Sequence, residues 1–356
     1  METHFFFVEQ SPLCQQTILP VLLSEVSSRS SASAFRYCRH CLGSEDDIQS
    51  KFVESQFTLR TDERHSYHCD VLDRQDLSSA DKQHFSLVYG VNRRALLHTL
   101  SYFSVASGAL IPDIMHDVLE GALPLEVKLM LKVFVIDKKL FSLTFIDDGF
   151  KKLNLRSFDG DKPSTLSGVS LTSCDSNLHQ HAMQMWTLAR FLSLVIGHLI
   201  PEDDKHWENF LCLLDIIDIL FSHSVADDAI GYLEALISDH HSTFLELYPD
   251  TQITMKMHSI VHMPRLTKEY GPLINHWTTR FEAKHKYFKH LANVMGNFTN
   301  ICFSLALRHQ MHQCYLSLNT DSLPGEEVEI GPGKNSSCIY TTSVELNRCS
   351  SIYFIF

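Results

Sequence analysis

The chain has 356 residues, 44% of them hydrophobic, and a formal net charge of −12 at pH 7. That length can bury a substantial core and suggests about two domains, while the acidic balance excludes a simple electrostatic binder of DNA or anionic membrane. Ten scattered cysteines in so long a chain exclude a secreted disulfide scaffold; they point to an intracellular, reduced protein, nuclear or cytoplasmic, whose thiols are core residues or metal ligands.

The N-terminus, METHFFFVEQ, lacks the basic and apolar regions of a signal peptide. The longest apolar run, FLSLVIGHLI at 191–200, is interrupted by His198 and falls short of the ~20 residues a bilayer requires, so no membrane association is expected. Residues 1–34 end in the Ser-rich stretch SEVSSRSSASA and read as an irregular, low-complexity start. Residues 35–112 form a Cys/His-rich segment and 113–316 a helical region. Residues 317–356 form an irregular tail or weak hairpin that ends in SIYFIF.

Within 113–136 the spacing predicts two helical pieces separated at Gly121–Pro124, where Gly ends one and Pro opens the next. Residues 153–177 are aperiodic and rich in Ser, Thr, Gly and Asp, a loop. Asp147 and Asp148, just before it, read as part of a turn. The stretches at 181–200 and 206–223 are apolar nearly all round, as in helices buried on most sides, with PEDD at 201–204 supplying a stop and an acidic start for the second. Over 228–248, Ile230, Leu233, Ile237, His241, Phe244 and Tyr248 repeat at three or four residues, one face of a helix. A helix over 279–295 stripes Phe281, Phe288, Leu291 and Met295 and is capped by Gly296; Asn297 then caps a last helix with Phe298, Ile301, Leu305 and His312 on one side. The fold expected is mainly α.

Four motifs carry chemistry. FRYCRHCL sets Cys38 and Cys41 at the C-x-x-C spacing that grips one zinc from a tight turn. No thioredoxin-like context follows that would favour redox chemistry, and Arg39 and His40 between the thiols would help keep them ionised. KMHSIVHMPRL sets His258 and His262 four apart, on a helix one face with Cβ atoms roughly 6 Å apart. That pair is either half of a metal site or two polar residues on a solvated face. It is not a hydrolytic zinc motif, because Ser259 stands where the general base would follow His258. Spacing alone favours the nearer ERHSYHC, with His65 and Cys69, as partner of Cys38 and Cys41, since closing a short loop costs less. PDIMHD holds Asp113 and His116, where Asp113 also suits a helix N-cap. WTTRFEAKHKYFKH sets Glu282 among Arg280, Lys284, Lys286 and Lys289, either an i,i+4 Glu–Lys pair on a solvated face or a carboxylate metal ligand in a basic surround able to follow a phosphate backbone.

In this order FRYCRHCL, DIMHDVLEG, QMWTLARFLSLVIGHLIPEDDKHWENFLCLLDIIDI, KMHSIVHMPRL and RFEAKHKYFK resemble the transposase-derived proteins of the CACTA (En/Spm-like) class, from about Phe35 to Tyr315. That class is similar to other DDE/D recombinases, including the V(D)J recombinase, which use an RNase H-like core and three carboxylates to hold two Mg²⁺ ions. The resemblance implies a helical insertion followed by the C-terminal catalytic helix of such a core. Cys38 and Cys41 match the C-x-x-C after the second catalytic Asp, and His258 with His262 the later His pair, so the four would share one structural zinc in preference to His65 and Cys69. Glu282 matches the last catalytic carboxylate, and Asp113 with His116 the D-x-x-H element. DNA would lie along Arg280, Lys284, Lys286 and Lys289; a full-length transposase or a second copy would be the protein partner, and the location nuclear.

One departure carries weight. The first two catalytic Asp residues should precede FRYCRHCL, yet residues 1–34 contain no Asp, only Glu2, Glu9 and Glu25. The expectation is therefore a remnant lacking most core strands, in which Glu282 is a relic and Mg²⁺ binds only if the missing Asp residues come from elsewhere. The competing expectation is a helical interaction scaffold that needs no zinc.

Overall fold

The structure, a computed structural model, describes residues 34–94, 106, 111–173, 178–296 and 298–318. The expected Ser-rich start before residue 34, the Asn297 cap and the tail from 319 onward lie outside the described residues. The described residues fall into two compact units, one reaching to His276 and one beginning at Trp277. Described residues are mainly helical, and the β structure among them is one isolated antiparallel bridge, Cys41 with Leu59.

The described part of the first unit begins with the helices α1 (Glu45–Ile48), α2 (Asp62–Asp73) and α3 (Ser79–Tyr89). Each starts at a hydroxyl cap: Ser44, Thr61 and Ser78 accept from backbone N–H groups that have no helical partner. A composite helix follows, π-helical over Met115–Ala122, α-helical over Leu123–Lys132 (α4) and π-helical again over Val133–Asp137. The separation expected at Gly121–Pro124 is not a break. The π-helical register carries through it, with the Leu123 N–H on the Val118 carbonyl, and the Lys256 ammonium donates to the Glu120 carbonyl at 2.7 Å. Gly121 lets this happen, because a Cβ there would stand 2.7 Å from Lys256 Cδ.

α5 (Leu143–Lys152) is capped by Ser142 and carries Asp147 and Asp148, so the expected turn is a helix; Asp147 accepts from the Leu166 N–H at 3.1 Å and ties down the loop that follows. That loop is not wholly irregular. Ser167 caps a short helix, α6 (Gly168–Thr172). α7 (Ala182–Ile196), α8 (Lys205–Leu220) and α9 (Asp227–Leu247) form the centre, α8 packed along α9. Asp204 caps α8 as the acidic run suggested, accepting from His206 and Trp207. Leu233, Ile237, His241, Phe244 and Tyr248 are buried, as their spacing predicted. α8 contributes its own buried face of Phe210, Leu213, Ile217 and Leu220, each such apolar side chain adding about 1.5–3 kcal/mol.

α10 (Met255–Ile260) and α11 (Met263–Tyr270) close the unit. Pro264 is the second residue of α11, where its missing N–H has no helical acceptor to serve. α10 packs on the π-helical turn Met115–Ala122, and α11 on α9. In the second unit, α12 (Thr279–Met295) ends at Gly296 in the left-handed region, φ +60°, as expected, and pairs with α13 (Ile301–Leu318). On α13 His309 is buried, edge-on to Phe288 at 5.5 Å, and His312 stacks on Tyr287 of α12 at 6.4 Å, while Phe298, ahead of the helix, is exposed.

Candidate metal centre

The cysteine half is a tight turn. The His40 N–H donates to Cys38 Sγ and the Gly43 N–H to Cys41 Sγ, each at 3.4 Å, a pattern that favours thiolates. Gly43 has no room for a side chain, since a Cβ would lie 2.8 Å from the Phe57 ring, and that ring packs edge-on against His258 at 4.9 Å. The turn is held from behind by Arg60. Its Nε donates to the Cys38 carbonyl, and its Nη2 to the Arg36 and Tyr89 carbonyls, at 2.8–2.9 Å. Burial lowers the Arg60 pKa while the Cys38 and Cys41 charges raise it. This corrects the expected roles of Arg39 and His40. Arg39 is exposed, and burial, helped by the His262 charge, pushes His40 down to about 3, so its ring is neutral.

The histidine half lies where two short helices meet. Thr254 caps α10 by accepting from the Met257 N–H; His258 sits near the end of α10 and His262 just before α11. They are 1% and 0% exposed, so they are not polar residues on a solvated face. Two side chains from the cysteine half reach across. The Gln49 amide forms a pair of hydrogen bonds with the Ile253 backbone, at 2.8 and 2.9 Å. Glu54 Oε1 accepts from His262 Nδ1 at 2.7 Å, and the same carboxylate accepts from Arg265 Nε. With Nδ1 committed to Glu54, His262 presents Nε2 to the cysteines.

Cys38, Cys41, His258 and His262 are thus buried together, and their donor atoms all lie within 4.8 Å of one another. Cys38 Sγ is 3.4 Å from His262 Nε2, Cys41 Sγ 3.3 Å from His258 Nε2, and the two Nε2 atoms 3.3 Å apart. The pairs are separated by 224 and 217 residues. Burial disfavours charge on His262, yet Cys38 and Glu54 outweigh it and raise the imidazole to about 9. Burial opposes ionisation of Cys38 as well, but the bond from Cys41 and the His262 charge hold it well below the ordinary thiol value, while that same bond pushes Cys41 up. Without metal, the pocket therefore holds a Cys38 thiolate beside a His262 imidazolium. With the protons displaced, it offers two thiolates and two imidazoles converging on one point, a set able to hold a metal ion.

The rival pair is elsewhere. His65 and Cys69 face each other on α2, Nε2 to Sγ 3.7 Å, and Cys69 packs with Leu72, Val91 and Phe85. Burial raises that thiol to about 11, the behaviour of a core cysteine. Asp113 accepts from the Met115 N–H at 3.1 Å and pairs with His116 Nδ1. Burial and the Asp113 charge lift neighbouring Asp117 to about 7. Glu282, Lys284, Lys286 and Lys289 lie on α12 in the other unit, Glu282, Lys286 and Lys289 exposed; Arg280 is on the same helix, with its side chain outside the description. Glu54, Gln49 and Arg60 were missed by sequence reasoning, since nothing in their spacing marks them.

No protein-family model matches the chain, and no curated protein matches it. Among the described residues no helix is long and apolar enough to cross a membrane.

Proposed function

We propose that the chain is the zinc-stapled helical region of a CACTA-type DDE/D transposase, and that its zinc is structural. The observation that supports this is the quartet itself: two cysteines and two histidines, over two hundred residues apart, share one buried site. A tetrahedral zinc with Zn–S of about 2.3 Å and Zn–N of about 2.05 Å sets S···N separations near 3.5 Å and N···N near 3.3 Å. The separations here, 3.3–3.4 Å and 3.3 Å, fit it. Four protein ligands leave no open position for a hydrolytic water. The ion would instead join the turn before α1 to the α10–α11 junction, a long-range closure that lowers the entropy of the unfolded chain.

The transposase part of the reading rests on the motif order and on Glu282, and the RNase H-like core belongs to that resemblance. Two-metal strand transfer needs three carboxylates, and Glu282 matches the last of them. Mg²⁺ would bind at Glu282 only in company with further carboxylates, and a full-length transposase or a second copy is the expected protein partner. DNA is the expected ligand of the basic face around Lys284, Lys286 and Lys289, and a nuclear location would follow. A second reading, a helical interaction scaffold independent of zinc, is favoured by α13, where Phe303, Leu307, Met311 and Tyr315 recur at four-residue spacing and are all exposed.

Two assays separate the readings. Cobalt titration should give the thiolate charge-transfer and tetrahedral d–d bands of a Cys₂His₂ site, lost in Cys38→Ser; a chain with no such bands, whose melting ignores chelators, is the scaffold. A Mg²⁺- or Mn²⁺-dependent nick of duplex DNA that disappears in Glu282→Gln would mark Glu282 as a working catalytic carboxylate, and nicking unchanged by that substitution would contradict its match.

A further inference from the structure

Behind the histidine half runs a chain of buried polar groups that the four ligands do not require. Asn209 on α8 donates from Nδ2 to Glu126 Oε1 on α4 at 2.8 Å. Glu126 Oε2 is 2.5 Å from His240 Nε2, His240 Nδ1 is 2.9 Å from His241 Nδ1, and His241 Nε2 is 2.9 Å from the Met257 carbonyl oxygen. Met257 immediately precedes the ligand His258. Glu126, His240 and His241 are fully buried and Asn209 is 3% exposed.

Such groups are costly in an apolar core unless every polar atom finds a partner, and here one arrangement of hydrogens satisfies them all. A carbonyl only accepts, so His241 Nε2 carries a hydrogen. Burial, with His240 beside it, pushes His241 down to about 3, so the ring is neutral and its Nδ1 accepts. His240 Nδ1 therefore donates, one further proton lies between His240 Nε2 and Glu126, and Asn209 serves the other carboxylate oxygen.

The end of the chain is also distinctive. In a continuing helix the Met257 carbonyl would take the Val261 N–H. Here α10 tightens as it turns into α11, and the Val261 N–H bonds to the His258 carbonyl at 3.1 Å instead. His241 is the donor that meets the Met257 carbonyl at that turn. Apolar residues would fill this core at least as stably, so packing alone does not account for the choice of side chains.

We infer that Glu126, His240 and His241, anchored by Asn209, are positioning residues for the metal centre: through the Met257 carbonyl they fix the α10 turn that aims His258 Nε2 at Cys41. The inference rests on the zinc-site reading above. It implies that zinc affinity is set partly from the centre of the helical core, where none of the groups touches the ion.

Zinc affinity of the full chain, measured by competition with a chromophoric chelator, tests this. His241→Phe keeps the ring volume and removes the donor; zinc should bind ~10–100-fold more weakly, the range for groups that orient metal ligands. His241→Gln, which can still donate to the Met257 carbonyl, should recover most of that loss, and Asn209→Leu at the far end should show a smaller one. Phe210→Leu, a fully buried neighbour outside the chain, should leave the affinity of the folded protein unchanged. Unaltered affinity in both His241→Phe and Asn209→Leu, or an equal loss in Phe210→Leu, overturns the relay. If His241→Phe does not fold, ¹⁵N spectra of the wild-type histidines decide: the Nε2–H tautomer at His241 supports the relay, and the Nδ1–H tautomer overturns it. A wild type that binds no zinc refutes the metal-site reading and the relay with it, whereas zinc bound equally by wild type and relay variants refutes the relay alone.

Discussion

Replacing Glu54 by glutamine sets two opposing effects against each other. The carboxylate accepts from His262 Nδ1 at 2.7 Å and from Arg265 Nε at 2.9–3.0 Å. Arg265 keeps Glu269 through Nη1, so no cation is stranded by the change. Losing the charge behind a ligating imidazole lowers metal affinity ~10–100-fold, about 1.4–2.7 kcal/mol. Against this, zinc must first displace the proton that His262 holds with a pKa of about 9. At pH 7 that displacement costs about 2.7 kcal/mol, and because Cys38 raises His262 more than Glu54 does, removing Glu54 returns only roughly 1 kcal/mol. The first effect wins. Zinc should bind roughly 2–20-fold more weakly at pH 7, and the deficit should widen to ~10–100-fold above pH 9, where the proton no longer competes. Chelator competition at the two pH values reads both numbers. A deficit that shrinks as pH rises, or none at either pH, would refute the reasoning.

Zinc loading should release about two protons at pH 7, one from His262 and one from Cys41, with Cys38 already ionised; affinity should then climb by up to ~100-fold per pH unit until His262 is neutral near pH 9. Calorimetry in buffers of different ionisation enthalpy counts those protons, and a count of zero would contradict one proton on the Cys38–His262 pair and another on Cys41. Arg60→Met removes the donor shared by the Arg36, Cys38 and Tyr89 carbonyls, and should cost about 2–5 kcal/mol in urea unfolding; a change within experimental scatter would show that the turn holds without it. Gly43→Ala forces a Cβ against the Phe57 ring and should cost about 1–3 kcal/mol, most of it recovered by adding Phe57→Leu. No recovery would mean that the ring is not the obstruction.

The long amphipathic helices were legible because apolar residues at three- and four-residue spacing leave one way to bury them. α9 kept its stripe from Leu233 to Tyr248, and Asp204 and Gly296 punctuated their helices as the sequence suggested. Gly121 and Pro124 misled because a π-helical register runs through them, and because Lys256, 136 residues from Glu120, lies against Gly121 and donates to the Glu120 carbonyl. Asp147 and Asp148 misled for a simpler reason: Ser142 caps a helix through them. From spacing alone the candidate metal site was legible only in halves. C-x-x-C and H-x-x-x-H are local patterns, but loop-closure cost pairs Cys38 with His65, and it took the family resemblance to join the halves. The helical core, by bringing α10 to the π-helical turn at Met115–Ala122, decides otherwise. Glu54, Arg60 and the Glu126–His240–His241 chain have no local pattern, because each acts on a residue far away in sequence.

The central claim is that Cys38, Cys41, His258 and His262 share one zinc ion, and elemental analysis of the purified full chain tests it most directly. The account predicts one zinc per wild-type chain and none in the His258→Ala/His262→Ala double variant. Zinc retained by that variant, or none bound by the wild type, would contradict it.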